Sequence, residues 1–170
     1  MQDKRHTLVS LVQDEPGVLT RVAGLFRRRG FNIESLSVGH CEQPGLSRMT
    51  IVVIGDDAEV EQVTKQLDKL INVVNVTDIT REDKVVRELA LIKVSASART
   101  RSEIMQIVDV FRANIVDVAP DSLMVEVTGD EDKIDSLVKM LRDFGMQELA
   151  RTGRTALTRG VFTQEKQQST

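Results

Sequence analysis

The chain has 170 residues, of which 41% are hydrophobic and 3% aromatic, and its formal net charge is −3. This length allows one large domain or two small ones, each with a hydrophobic core. The negative charge and the lack of Tyr and Trp argue against a nucleic-acid-binding protein. No segment approaches the roughly 20 apolar residues of a membrane helix, and the first residues lack a signal-peptide apolar region, so we expect a cytoplasmic protein without a membrane span.

The first feature is a junction between a strand and a helix. An apolar segment rich in β-branched residues, His6 to Val12, predicts a buried strand. The ring of Pro16 fixes φ near its helical value, so we expect a helix to begin here, with Asp14 accepting hydrogen bonds from its first amides. The apolar positions of this helix recur at helical spacing, which predicts that it packs on a sheet: Val18, Val22, Leu25 and Phe26.

The start of this helix has the properties of an anion-binding site. Gly17 adds no side chain, so a ligand can closely approach the main-chain amides of Gly17, Val18 and Leu19. These amides, with the positive end of the helix dipole behind them, favour a carboxylate or a phosphate. The pattern therefore indicates binding and not catalysis. The alternative is that E-P-G-V-L is only a well-formed helix start.

Three arginines, Arg27 to Arg29, end this helix before Gly30. Cations in the last turn complement the negative end of the helix dipole, and glycine commonly follows a helix. We interpret the triplet as a solvated helix end, with binding of an anionic partner as the alternative.

The next segments complete a first domain. Alternation over Phe31–Val38 predicts a half-buried strand, with a bulge near Glu34 where the alternation slips. The further predicted elements are a turn at His40–Gly45, a strand at Leu46–Gly55, a helix at Ala58–Leu70 capped by Asp56 and Asp57, and a strand at Val73–Ile79. This order predicts a ferredoxin-like βαββαβ domain with both helices on one face of an antiparallel sheet. We expect the opposite face, carrying residues such as Leu8 and Ile51, to pair with a second copy.

The second half repeats this order. The predicted elements are strands at Arg87–Ala96, Asn114–Val118, Ser122–Thr128 and Met146–Ala150, and helices at Thr100–Ala113 and Asp130–Phe144. The sequence thus predicts an α+β protein with two ferredoxin-like domains in tandem: residues 1–79, a linker at 80–84, and a second domain with a C-terminal tail at 85–170. The second domain lacks a Pro-Gly helix start, so we expect the first to sense a ligand and the second to contact another partner.

The tail is polar, and its arginines allow two interpretations. Arg151, Arg154 and Arg159 either dock on an acidic partner surface or are solvated, and the final ten residues are expected to be frayed. Catalytic and metal-binding patterns are missing from the sequence. Two histidines and one cysteine provide neither a zinc site nor a disulfide, and no Ser-His-Asp set or Walker loop is present. We therefore predict no catalytic residue and no metal ligand.

Several of these segments resemble one protein family. The stretch D-E-P-G-V-L-T-R-V-A-G-L-F, followed by R-G-F-N-I-E-S-L-S-V and L-S-R-M-T-I-V-V, resembles the small regulatory subunit of acetohydroxyacid synthase, also called acetolactate synthase. The resemblance spans nearly the whole chain, including V-R-E-L-A-L-I-K-V and the tail pattern G-x-x-x-L-x-R-G. N-I-E-S-L and L-S-R-M-T-I are specific to that subunit, whereas E-P-G-V-L alone indicates the wider family of ACT domains, which bind amino-acid effectors.

The resemblance implies that the first domain is an ACT domain that forms a homodimer with the effector, in bacteria usually valine, at the interface. The implied effector-binding residues are Asp14 near the amino group, Gly17, Val18 and Leu19 around the carboxylate, and Asn32 and Ile33 from the partner chain. The family more often carries Asn in place of Asp14 and a small polar residue in place of Pro16.

The resemblance also implies that this chain is not an enzyme and holds no cofactor. The catalytic large subunit is expected to carry thiamine diphosphate, magnesium and FAD and to condense two pyruvates, or pyruvate with 2-oxobutyrate. The small subunit is expected to raise that activity and to confer feedback inhibition by a branched-chain amino acid. The alternative is a stand-alone amino-acid-binding ACT regulator of another biosynthetic enzyme.

Overall fold

The computed structural model describes residues 4–160, and its first unit is an antiparallel sheet with two helices. The elements are β1 (Lys4–Gln13), α1 (Val18–Arg28), β2 (Ile33–His40), β3 (Leu46–Gly55), α2 (Asp57–Leu67) and β4 (Val73–Asp78). The strand order is β2-β3-β1-β4, with β1 paired to both β3 and β4. This is the ferredoxin-like arrangement that the order of elements predicts.

One face of this sheet packs against α1 and α2. The buried residues of the core are Leu8, Val12, Val18, Val22, Leu25, Phe26, Met49, Ile51, Val53, Val60, Val63, Leu67 and Val73. Leu8 and Ile51 are fully buried in it, so the expectation that they face a second copy is wrong. Successive side chains of a strand point to opposite faces, and it is their neighbours, such as Val9 and Val52, that occupy the other face.

Two boundaries differ from the sequence prediction for reasons of packing. β2 begins at Ile33 because Phe31 turns inward, where its ring meets Phe26 edge-on at 6.4 Å between centroids. α2 ends at Leu67, after which hydrogen bonds from Lys69 N to Gln66 O and from Leu70 N to Leu67 O tighten the chain. The predicted bulge near Glu34 is confirmed by a register shift between Ile33 and Ser35 in the pairing of β2 with β3.

The second half of the described chain repeats the plan and adds one strand. Its elements are β5 (Lys84–Ser95), α3 (Arg101–Val110), β6 (Asn114–Val118), β7 (Ser122–Gly129), α4 (Glu131–Arg142), β8 (Met146–Arg151) and β9 (Thr155–Thr158). The sheet order is β6-β7-β5-β8, and β9 also pairs with β5. Sequence reasoning missed β9 because this four-residue strand buries only Ala156 among its side chains.

The described chain separates into two compact units. The first contains residues 4–85 together with 156–160, and the second runs from Val86 to Thr155. The predicted linker, 80–84, overlaps the turn before β5 and includes the first residue of that strand. The last ten residues, predicted to be frayed, lie outside the described part of the chain.

An ion-pair cluster holds the end of β8 and the segment after it within the second unit. Glu88, 7% exposed, lies 2.7 Å from Arg151 and 3.3 Å from Arg154. Arg151 also pairs with Asp135 at 2.6 Å, and Arg154 pairs with Glu131. We call these five residues the Glu88 cluster. Both arginines are therefore engaged in ion pairs inside the unit, Arg154 half-buried and Arg151 still exposed to solvent.

Arg159, the third tail arginine, lies outside the Glu88 cluster. It is exposed and pairs with Asp83 at 3.4 Å.

The arginine triplet lies at the end of α1. Arg27 and Arg28 are exposed, while Arg29 donates to Gln66 at 2.9 Å. These positions agree with the interpretation of the triplet as a solvated helix end.

Candidate functional site

The helix α1 begins without the side-chain cap that two other helices have. Gly17 is its N-cap residue and adopts a left-handed conformation, with φ 87° and ψ −6°, and no side chain caps the helix. By contrast, Asp56 accepts from Glu59 N at 2.7 Å at the start of α2, and Asp130 accepts from Lys133 N at 3.0 Å at the start of α4. The first turn of α1 therefore retains donors that a capping carboxylate would otherwise occupy.

The main-chain amides at this helix start are accessible. Among residues 4–160, no acceptor pairs with the amides of Gly17 and Leu19, while Val18 N makes a long bond of 3.4 Å to Glu15 O. A Cβ at Gly17 would meet no atom within 4 Å, and Leu19 is 46% exposed. The side chain of Val18 is buried and anchors the first turn in the core. This arrangement presents two free donors and the positive end of the helix dipole to an anion.

In the second unit, Ser97 and Thr100 hydrogen-bond to each other before α3, which likewise has no side-chain cap. Ser97 N donates to the Thr100 hydroxyl at 3.0 Å, and Thr100 N donates to Ser97 Oγ at 3.3 Å. These bonds satisfy the amides of Ser97 and Thr100, which precede the first turn of α3. The two helix starts therefore differ in backbone conformation, left-handed at Gly17 and right-handed at Thr100, and not in side-chain capping.

Asp14 does not cap α1, which corrects the expectation that it accepts from the first amides. Its main-chain amide donates to Gly45 O at 2.9 Å, which ties it to the turn between β2 and β3. Its carboxylate consequently lies 3.3 Å from His40 Nδ1 at the end of β2. Both side chains are largely exposed, so Asp14 provides an acidic group near the helix start without closing it.

Asn32 and Ile33 lie at the opposite end of the sheet from Gly17. Ile33 pairs with Val53, which pairs with His6 near the beginning of β1, whereas α1 starts after the end of β1. The 11 residues of α1 span about 16 Å at the rise of an α-helix. One chain therefore brings Asp14, Gly17 and Leu19 together but does not bring Asn32 and Ile33 to them.

Sequence reasoning missed Asn72, which hydrogen-bonds to the loop before α1. It is 5% exposed and directly precedes β4. Its place in a short polar turn gave no sign of burial, because turns are usually rich in asparagine. A distant contact of this kind follows from the fold and cannot be identified from local pattern.

A second polar cluster lies near the beginning of β1. His6 is buried between two carboxylates, with Nδ1 3.1 Å from Asp78 and Nε2 3.4 Å from Asp57. Hydrogen bonding from Lys4 is the main cause that lowers the pKa of Asp57, with the charges of Lys4, Arg81 and His6 adding to it. Asp57 begins α2, so this cluster belongs to the framework of the first unit.

Residues 4–160 contain neither a candidate metal site nor a candidate membrane helix. No group of three or more His, Cys, Asp or Glu residues in this range is arranged to hold a metal ion. None of the helices formed within the same range has the length and apolar character needed to cross a membrane.

Comparisons with known proteins match both units. The family model of the AHAS small subunit-like ACT domain matches residues 8–75, and the model of the small subunit of acetolactate synthase matches residues 87–160. A probable acetolactate synthase small subunit of Archaeoglobus fulgidus is 58% identical, over 92% of this chain and 98% of its own. That of Methanothermobacter thermautotrophicus is 55% identical, over 96% of this chain and 98% of its own.

A solved structure agrees with these matches. The crystal structure of the acetolactate synthase small subunit from Thermotoga maritima has a TM-score of 0.87 and 43% sequence identity, covering 94% of this chain and 99% of that chain. The predicted α+β fold, with two ferredoxin-like domains of which the first is an ACT domain, is confirmed. The resemblance stated from the sequence is likewise confirmed, and the chain belongs to the family of acetolactate synthase small subunits.

Proposed function

We propose that this chain is the regulatory subunit that binds the catalytic large subunit of acetolactate synthase, raises its activity and confers feedback inhibition by a branched-chain amino acid. Valine is the first candidate effector. The family supports the small-subunit role. The observation that carries the ligand-binding part is the open start of α1, where Gly17 is left-handed and no side chain caps the helix.

The chemistry of a free amino acid matches the groups at this site. Its carboxylate would bind the amides of Gly17, Val18 and Leu19, with the bond of Val18 to Glu15 giving way most easily because it is long. Its ammonium group would face the carboxylate of Asp14, which the turn at Gly45 holds near the helix start. A negative residue in this position favours a cationic group by direct charge attraction.

A homodimer through the ACT domains would complete the site. Asn32 and Ile33 lie about the length of α1 from Gly17 in one chain, so they reach an effector only if a second copy supplies them. A two-fold pairing gives each chain the same two roles and creates two equivalent sites.

In this proposal the chain performs no chemistry of its own. Thiamine diphosphate, magnesium and FAD belong to the catalytic large subunit, and the two proteins act together in the cytoplasm. The effector must bind two states of the assembly with different affinity, and couplings of this kind are typically about 1–3 kcal/mol. The alternative is a stand-alone ACT regulator that controls another biosynthetic enzyme.

The test is a pull-down of the purified catalytic large subunit by this chain, followed by assays of acetolactate formation. We expect co-purification, higher activity of the assembly than of the large subunit alone, and loss of that activity on addition of valine, leucine or isoleucine. Co-purification and stimulation without any amino-acid response would contradict the effector part. Failure to bind the large subunit, with retained binding of an amino acid, would favour the stand-alone regulator.

A further inference from the structure

Asn72 uses every hydrogen-bonding group of its side chain. Its Nδ2 donates to Gln13 Oε1 and to Glu15 Oε2, both at 2.9 Å, and its Oδ1 accepts from Arg21 Nη1. Its main-chain oxygen also accepts from Gln13 N at 2.8 Å. A nearly buried amide whose two hydrogens and carbonyl oxygen are all paired holds its neighbours in one arrangement.

The partners of Asn72 surround the start of α1. Gln13 ends β1, Glu15 lies in the loop two residues before Gly17, and Arg21 lies in the first turns of the helix. One side chain therefore joins the strand end, the loop and the helix. Asn72 is itself held at the beginning of β4, so the loop is fixed to an element that does not belong to the proposed site.

The chemistry of the partners fixes the orientation of the Asn72 amide. Arg21 can only donate, and the carboxylate of Glu15 only accepts. The oxygen of Asn72 must therefore face Arg21, and its nitrogen must face Glu15. Rotation of the amide by half a turn would lose two charge-assisted hydrogen bonds.

We infer that Asn72 is a positioning residue for effector binding: through Glu15 and Arg21 it holds the start of α1 in the conformation that receives the carboxylate of an amino acid. This inference rests on the proposed function. Asn72 makes no contact with the effector in this scheme. A preset loop reduces the ordering cost of binding, and apparent affinity falls with the population of the competent conformation.

The test uses Asn72→Asp in the full chain, assembled with the catalytic large subunit. The measured quantity is the valine concentration that gives half of the maximal inhibition, which we call the midpoint. Inhibition is expressed against the activity of the same assembly without valine. The substitution replaces two donors by an oxygen that faces the carboxylate of Glu15. We expect the midpoint to rise about tenfold, as it would if the competent conformation fell to about a tenth of the population.

Asn75→Asp is a matched control with the same chemical change three residues later. The Oδ1 of Asn75 accepts from Leu11 N at 3.3 Å, and an aspartate retains that acceptor. None of its hydrogen bonds reaches the loop at 14–17 within the described chain. We expect this variant to keep the wild-type midpoint.

A rescue experiment separates positioning from a general structural role. Combining Asn72→Asp with Glu15→Gln returns one donor and one acceptor to the same bond, so the midpoint is expected to return to within about threefold of wild type. If Asn72 had only a structural role, Asn72→Asp would lower the unfolding temperature and the maximal inhibition. The midpoint would then neither rise in Asn72→Asp nor return in the double variant. Glu15→Gln alone weakens a charge-assisted bond and is expected to raise the midpoint about threefold.

The outcomes distinguish this inference from the proposed function. A wild-type midpoint for Asn72→Asp would overturn the role of Asn72 and leave the proposed function standing. If Asn72→Asp does not fold, an unchanged midpoint for Glu15→Gln would overturn it instead. A wild-type assembly that responds to none of valine, leucine and isoleucine would overturn the proposed function, and this inference with it.

Discussion

Gly17 is the residue on which the ligand-binding proposal depends most. Its φ of 87° lies in the left-handed region, where residues other than glycine, asparagine and aspartate are strained. A Cβ at this position would meet no atom within 4 Å. Sequence reasoning predicted the open helix start from Pro16 and Gly17 alone. The same reasoning misplaced Asp14, because the hydrogen bond from Asp14 N to Gly45 O depends on the pairing of β1 with β3, which are distant in sequence.

Gly17→Asp is expected to abolish amino-acid binding, because it adds a negative charge where the carboxylate is proposed to bind. Gly17→Asn adds a side chain of the same size without charge and is expected to weaken binding less. Both variants should fold, at a cost of about 1 kcal/mol for the left-handed conformation. Calorimetric titration with valine and thermal unfolding measure the two effects, and equal binding by wild type and Gly17→Asp would refute the site.

Asp57 gives a pH-dependent prediction at the same scale. In the folded state its pKa is lowered from the ordinary value of 3.8, first by hydrogen bonding from Lys4. The ionised carboxylate therefore contributes to stability above pH 3.8, and this contribution is lost as the pH falls through the pKa of the folded state. Asp57→Asn should therefore lower the unfolding temperature near neutral pH, with the difference from wild type vanishing in acid. The difference should be smaller in a Lys4→Met background; a pH-independent difference would contradict this assignment.

At the scale of elements, the sequence predicted type and order well and boundaries unevenly. β3 and β6 have the bounds that alternation and turn residues predicted, Leu46–Gly55 and Asn114–Val118. The helices were predicted too long at their C-terminal ends, because apolar residues such as Leu70 keep the helical spacing after the backbone has left the helix. β9 was missed because it has no apolar pattern. Only the small side chain of Ala156 is buried in it, and the residue before it, Arg154, is held by an ion pair with Glu88.

The Glu88 cluster gives a prediction about the element that follows β8. Glu88→Gln removes the shared partner of Arg151 and Arg154 and leaves their charges partly buried. We expect the free energy of unfolding to fall by about 2 kcal/mol, less than for a fully buried pair because Arg151 reaches solvent. Asp83→Asn, at the exposed pair with Arg159, is the control and should change it by no more than about 0.5 kcal/mol. Equal effects in chemical denaturation would contradict a structural role of the cluster.

At the scale of the whole molecule, the sequence predicted two ferredoxin-like domains, but the grouping of residues is less simple than a linear division. Residues 156–160 belong with the first unit, so a truncation after Thr80 would remove part of it. Experiments that separate the roles of the two domains therefore require point variants in the full chain. The return of the chain to the first unit depends on long-range contacts, which local periodicity does not encode.

Mixed dimers test whether two copies share each effector site. Gly17→Asp and Asn32→Ala are each expected to lose binding as homodimers. In a mixed dimer, one site combines both defects, and the other combines an intact helix start with an intact Asn32. Random mixing should therefore restore about one quarter of the wild-type sites. Calorimetric stoichiometry after co-refolding measures this, and a mixture that binds no more valine than either variant alone would argue against a shared site.

The most direct test of the central claim is a titration of the isotope-labelled full chain with valine, followed through the amide resonances by NMR. The proposed function predicts that the largest shifts occur at Gly17, Val18 and Leu19, accompanied by shifts at Asn32 and Ile33 from the second copy. Saturation with no shift at the start of α1, or with shifts confined to the second unit, would contradict it.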